Sequence, residues 1–423
     1  MGFRLVLPAL TLLLAAPAAE PTFVANHFVV VGNASNSVIE LAATGAADLE
    51  LPFAVAPNSR YGAAFGPDGR LYVANLTTHR VEILGSDGQK VGELGAGTPL
   101  SGASYVAFGP DGHLYVSSYS NDRVLELTLA GDLVREIGVG SGIDGPAGLV
   151  LSPDGHLLVV SSLTNAIYEF DANGEKVRTI VGGLNVPWGM TLGANGILYV
   201  ASVLGGVVKA FTPTSDGGFL VGTIGTGSAL QSPQDVALGP NGHLYVCSYS
   251  RDSVFEFDAL GAFVAEHAVS STQGAVSPAA IAFAPFRFKA KLAGTIAIHG
   301  SDPVALKDKG TVLSVFPGSD RVFLSFTDDP STSQDLASQF GVSAMTFWGV
   351  ETSKGADATK RSIHAVHAPR MAHAFDAGSI ALRLVGKAGA DGCFAAKSAT
   401  GSLHVSTVGH VVNAKVTTAG LVK

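Results

Sequence analysis

The chain has 423 residues, of which 47% are apolar and only 14% charged, with 52 glycines and a net charge of −8. This excludes a disordered chain, which needs low hydrophobicity and high charge. The mild acidity, with no run of Lys or Arg, excludes the basic footprint of a nucleic-acid binder.

The first segment, "MGFRLVLPALTLLLAAPAAEPTF", carries Arg4, an apolar stretch from Leu5 to Leu14 and the small-residue signal Ala16-Pro17-Ala18. That order predicts a signal peptide over residues 1–19 and export to the periplasm, the extracellular space or the cell envelope. A membrane anchor is the alternative, but the apolar run is short of the ~20 residues a span needs. No membrane span is therefore expected once the signal is cleaved.

A repeat follows. "FGPDGRLYVANLTTHRVEIL" from Phe65 returns as "FGPDGHLYVSSYSNDRVLEL" from Phe108 and "LSPDGHLLVVSSLTNAIYEF" from Leu151. It returns again as "LGANGILYVASVLGGVVKAF" from Leu192 and "LGPNGHLYVCSYSRDSVFEF" from Leu238. The turn glycines Gly69, Gly112, Gly155, Gly196 and Gly242 are spaced by 43, 43, 41 and 46 residues. A degenerate copy, "NHFVVVGNASNSVIEL", precedes them with Asn26 at the glycine position. Each copy reads as four short strands, A to D, separated by Gly, Pro, Asn and Asp turns. Four-stranded units at this period are propeller blades. The first copy lacks strand A, and "SPAAIAFAP" from Ser277 is a strand A with no B after it. The late strand should complete the first blade and close a six-bladed ring over residues 20–285, leaving no open end.

Here the residues resemble the NHL-repeat family of six-bladed propellers, through "FGPDGRLYVAN" with "HRVEIL" and "FGPDGHLYV" with "NDRVLEL". Virginiamycin-lyase-like and gluconolactonase-like propellers are neighbouring families. The resemblance implies the fold and leaves the activity open, because the family spans protein- and RNA-binding scaffolds and a metal-dependent lyase.

After Pro285 the repeat stops. "GTVLSVF", "RVFLSF", "AMTFWGV" and "IALRLVG" predict a smaller, mostly β domain over residues 286–423, read as a sandwich, with one helix from Ser331 to Gly341. The fold class is thus all-β, a closed six-bladed propeller followed by a smaller β domain. The two cysteines, Cys247 and Cys393, either pair or stay as buried thiols.

Propeller ligands sit at the channel mouth, among the B–C and D–A loops. The position eight residues before each turn glycine gives Tyr61, Ser104, Ala147, Trp188 and Gln234, with Ala279 on the closing strand and Asp235 beside Gln234. Tyr61, Trp188 and Gln234 form an aromatic-plus-amide set able to stack on or bond a ligand; plugging the channel is the alternative. On the B–C loops, Arg80, Arg123 and Arg251 are either recognition residues or ties from one blade to the next. Tyr119 and Tyr249 on the same loops are either contact residues or side chains folded back onto their blades.

The position six after each turn glycine, often aspartate in the NHL-like pattern, is Gly32, Asn75, Ser118, Ser161, Ser202 and Ser248. A hard cation wants carboxylates there. His113, His156 and His243 follow turn glycines on different blades and read as part of the repeat. His364, His367 and His373 are a weak metal candidate without a recognised ligand spacing. The sum points to an exported, non-catalytic scaffold without a cofactor, binding a protein, a glycan or a small-molecule ligand at the channel mouth. The alternative is a lyase or lactonase-type hydrolase using a divalent cation such as Ca or Mg at that mouth.

Overall fold

The computed structural model describes residues 27–298, apart from 36, 42–46, 53–59, 86–87, 110–111, 153–154, 194–195, 213–217, 240 and 272–275, together with strand segments between 304 and 421. The signal segment 1–19, the helix expected at Ser331–Gly341, His373 and Cys393 lie outside the described residues.

Six four-stranded antiparallel sheets form the blades of a β-propeller. Their innermost A strands are Pro278–Phe283 in blade 1, Arg60–Phe65 in blade 2, Ala103–Phe108 in blade 3, Pro146–Leu151 in blade 4, Pro187–Leu192 in blade 5 and Pro233–Leu238 in blade 6. Blade 1 shows the expected closure. Its A strand comes from the far end of the repeat and pairs antiparallel with Phe28–Gly32, with Phe28 opposite Phe283 and Val30 opposite Ile281.

The B strands, such as Leu114–Ser118, are buried throughout, because neighbouring blades cover both faces. This explains their unbroken apolar wording. The outer D strands, such as Leu133–Ile137, are mostly exposed. Apolar seams fill the spaces between blades. In one, Tyr72, Val81 and Leu94 of blade 2 meet Val106, Phe108 and Leu125 of blade 3. In another, Phe28 and Val30 of blade 1 meet Tyr245 and Cys247 of blade 6. Cys247 is a buried thiol in that seam, with no disulfide partner among the described residues. Burial pushes its pKa up, and the nearby Asp235 adds to the effect.

The repeat histidines are structural, and the reason is visible. His113 meets Glu126 at 2.7 Å, His156 meets Glu169 at 2.7 Å and His243 meets Glu256 at 2.6 Å, always across 13 residues. His27 and Glu40 repeat the pair in blade 1 at 3.3 Å. Where the histidine position holds Arg70 or Ile197, the glutamate position holds Ile83 or Ala210. A buried carboxylate needs a donor, so the two positions change together. Arg135 and Arg178 add a second donor to Glu126 and Glu169 at 2.5 Å each, and His267 does so for Glu256 at 2.8 Å.

Beyond Pro285 the strands from Phe286–Ile298 to His410–Leu421 join one antiparallel sheet of nine. The first and last of these strands also pair with each other, Leu292 opposite Val416, so the sheet closes on itself. Eight of the nine described strands close the ring, and Val304–Asp308 pairs with the first strand alone. His364 and His367 belong to the strand Lys360–His367.

Candidate functional site

The D–A and B–C loops meet at one end of the channel, and a hydrogen-bond code holds them there. Ser118 Oγ bonds both the amide and the carbonyl of Ser101, at 2.8 and 3.2 Å. Ser161, Ser202 and Ser248 repeat this double bond with Asp144, Asn185 and Gln231. The position that the NHL-like pattern gives to aspartate is thus taken by serines clamping their own blade's entry loop. Asn75 instead accepts from the amides of Thr77 and Thr78 and donates to Glu82.

A second device ties each blade to the next. His79, Asp122, Asn165 and Asp252 have left-handed backbones just before strand C. Their side chains accept the amides of Gly102, Gly145, Val186 and Ser277 in the following blade. The sequence reading left the arginines as recognition residues or as this tie, and the tie is made by other residues. Arg123 pairs with Glu136, Arg251 with Glu266 at 3.1 Å and Arg80 with Glu93 at 3.8 Å, all within their own blades. These arginines lie on the C–D side, away from the channel axis. The inter-blade tie needs a short side-chain acceptor on a positive-φ residue, which arginine does not supply.

Three of the residues singled out at the mouth come together. The rings of Tyr61 and Trp188 lie 5.1 Å apart, and the ring of Tyr119 lies 5.5 Å from that of Trp188. Tyr119 opens the short 3-10 turn Tyr119–Asn121, which carries no buried residue. Tyr249 opens the equivalent turn in blade 6, Tyr249–Arg251, and is outside the three-ring cluster. Burial raises the Tyr119 phenol pKa, and Asp144, Tyr61 and Asp122 raise it further. Two carboxylates thus border the aromatic cluster.

Ser104 does not face the mouth. It is fully buried and donates to Pro146 O of the next blade at 2.7 Å. Gln234 is on blade 6, with its backbone carbonyl against Gly189, the residue after Trp188. Its Oε1, like Trp188 Nε1, is shielded from solvent with no hydrogen-bond partner among the described residues. Each such atom costs about 1–3 kcal/mol. Val186, two residues before Trp188, has φ of 49°. That backbone is strained for a β-branched residue, whereas the matching positions in blades 3 and 4 are Gly102 and Gly145.

Below the mouth the channel is crossed. Tyr105 reaches from blade 3 to the opposite blade 6 and donates to Asp235 Oδ1 at 2.7 Å. Ile281 N of blade 1 donates to Asp235 Oδ2 at 3.0 Å. Gly62 makes room for Tyr105, whose Cα would lie 2.5 Å from a Cβ there. Past this bar, towards the A–B turns, a cavity of about 140 Å³ is bounded by all six A strands, including Phe65, Leu149, Met190 and Phe283. No sequence signal pairs Tyr105 with Asp235, because they are 130 residues apart. Only closure of the ring brings them face to face.

Asp235 is fully buried. Burial pushes its carboxyl up to about 7 from an ordinary 3.8, against the pull of the Ile281 amide, the Tyr105 hydroxyl and the Val236 amide. Between these values the folded chain keeps a proton that the unfolded chain has released. Stability therefore falls as pH rises through that window, by an amount on the order of a few kcal/mol. Glu256 has the opposite sign. Burial opposes its charge, but hydrogen bonds from His267, His243 and Tyr245 hold its carboxyl at about 2. Its contribution is present above an ordinary 4.5 and is lost as pH falls towards 2. Denaturation midpoints across pH should show both limbs. Asp235→Asn should flatten the neutral limb alone, and Glu256→Gln the acid limb alone. A neutral limb that survives in Asp235→Asn would remove Asp235 as its cause.

Among the described residues no three His, Cys, Asp or Glu side chains gather as a metal-ligand set, and no helix is long and apolar enough to cross a membrane.

Neither a family model nor a curated protein matches this chain. Its fold is similar to several solved structures. A protein of unknown function from Bacteroides caccae aligns with a TM-score of 0.50 and 17% identity, covering 60% of this chain and 97% of that one. A nidogen/laminin complex gives a TM-score of 0.50 and 17% identity, covering 61% and 98%. Virginiamycin B lyase from Staphylococcus aureus gives 0.44 and 12%, covering 85% and 94%. At these identities the likeness is one of fold.

Proposed function

We propose that the chain is an exported, non-catalytic binding scaffold that engages its ligand at the channel mouth, on Tyr61, Trp188, Tyr119 and Gln234. One observation carries this reading. Three aromatic rings from blades 2, 3 and 5 converge there beside a buried donor and a buried acceptor with unmet hydrogen bonds. Such groups are tolerated where a ligand or water completes them. The residues that a metal-dependent lyase or hydrolase would draw on are otherwise engaged. The serines clamp backbone, and Asp235 accepts three hydrogen bonds out of reach of solvent.

A thermal-shift screen of small molecules, glycans and peptides on the native chain and on Trp188→Ala tests it. Compounds that raise the native midpoint should lose the effect in Trp188→Ala, by about tenfold or more in apparent affinity. Far-UV circular dichroism should show the variant folded, because Trp188 only borders its apolar seam. Hits that stabilise both chains equally would place the ligand elsewhere.

A further inference from the structure

The unmet groups at the mouth also restrict what chemistry fits. Trp188 Nε1 offers a donor and Gln234 Oε1 an acceptor, from equivalent positions of neighbouring blades. A ligand that completes both must accept and donate. Hydroxyl groups do both with one atom, and a ligand carrying several around a ring need not be placed with one fixed register. The aromatic cluster supplies the other half of the recognition. The faces of Trp188, Tyr61 and Tyr119 take an apolar ligand surface at little entropic cost, because these side chains have only two rotatable bonds each.

Charge narrows the class further. Asp144 and Asp122 both act on the Tyr119 phenol, and the chain carries a net −8. An anionic ligand would meet a repulsive field on approach. Size argues against a protein partner as the main occupant. A stable protein contact covers ~800 Å² on each side, whereas two of the three rings lie within 5.5 Å of the third, Trp188, which itself carries one of the unmet groups. The exposed tips Leu163 and Leu204 are single leucines on separate loops, of a kind common on any surface.

We propose that the channel mouth takes a neutral carbohydrate, with a sugar ring stacked on the Trp188–Tyr61–Tyr119 cluster and its hydroxyls bonded to Trp188 Nε1 and Gln234 Oε1. This rests on the mouth being the binding site. Trp188 Nε1 and Gln234 Oε1 are shielded from solvent, so a ligand reaches them only if a neighbouring side chain moves, and Tyr119, half-buried on a turn with no buried residue and 5.5 Å from the indole, is a neighbour placed to do so. Binding therefore moves Tyr119 away from Trp188, which changes the surroundings of the indole.

The test uses that indole. The chain has two tryptophans, so Trp348→Phe leaves Trp188 as the sole reporter in the full-length protein. Its emission is followed during titration with neutral gluco-, galacto- and manno-configured oligosaccharides, with a uronic-acid oligosaccharide and with a Lys/Arg-rich peptide. Calorimetry on the chain with its natural sequence, and on Trp188→Ala, runs beside it and does not depend on the Trp348→Phe variant folding.

The expected result is a saturable emission change with at least one neutral sugar, none with the uronate, and a tenfold or greater loss of affinity in Gln234→Leu. A response confined to the uronate overturns the neutrality of the ligand and one confined to the peptide overturns the carbohydrate class; either leaves the mouth as the site. Sugar binding by calorimetry that leaves Trp188 emission unmoved and survives Trp188→Ala overturns the mouth itself. No neutral sugar binding by either method overturns the proposal.

Discussion

Replacing Ala280 by proline is expected to cost about 3 kcal/mol or more and to open the ring. Ala280 lies in the A strand that closes blade 1, opposite Val31. The next amide, Ile281 N, points to Asp235. Amides alternate along a strand, so the Ala280 N–H faces the ladder with Phe28–Gly32. Proline removes that donor and fits poorly inside a paired strand. The site is also fully buried, in the seam that blade 1 shares with Ala63, Phe65 and Val73 of blade 2. Losing the latch exposes a strand edge and two seam faces together. Urea denaturation should show a lower midpoint, and limited proteolysis should cut near the latch before the central blades. An unchanged midpoint would mean that the closing strand is not what holds the ring.

The second large effect is expected from Gly189→Ala. A methyl at this position would lie 2.1 Å from Asp235 Oδ1, 2.7 Å from Asp235 Cα and 2.8 Å from Gln234 O. Two of these three neighbours are backbone of blade 6 and have no rotamer to change. The substitution must push apart the innermost strands of blades 5 and 6, at a cost of about 2–3 kcal/mol. It also disturbs Trp188, Gln234 and the Tyr105–Asp235 bar together. Gly222→Ala is the matched control. Its Cβ would meet only the Ala210 side chain at 3.8 Å, an ordinary contact, and alanine restricts the unfolded chain more than glycine does. Denaturation should therefore show a clear loss for Gly189→Ala and little change, or a slight gain, for Gly222→Ala. Equal losses would indicate a general intolerance of side chains in blade 5, with no special role for the channel contact.

Much of the candidate site was legible before the structure. The offset of eight residues from each turn glycine put Tyr61, Trp188 and Gln234 at the mouth, because a repeat carries positional information from blade to blade. The same offset misplaced Ser104, whose hydroxyl turns sideways to the next blade's carbonyl. An offset locates a backbone position and leaves the side chain's direction to its neighbours. The tie between blades, one of the two readings of the arginines, belongs to other residues for a related reason. "HR" and "DR" mark the loop end, but the residue before the arginine carries the left-handed backbone whose side chain reaches the next blade. The His–Glu pairs had a signal that the sequence reading did not use. Histidine one residue after the turn glycine and glutamate 13 residues later are present together or absent together.

By itself the sequence determined the blade count, the four-strand unit and the closure by a late A strand. Those follow from a local period and from the arithmetic of its ends, and nearest-neighbour packing repeats whatever one blade does. Tertiary structure alone decided what crosses the channel and what meets at its mouth. Tyr105 and Asp235 stand on opposite blades, and Tyr61, Tyr119 and Trp188 come from three blades. Such contacts run around and across the ring rather than along the chain, and no periodicity encodes them. The raised carboxyl of Asp235, the covered indole of Trp188 and the glycines that make room for them exist only once six separate strands share one axis.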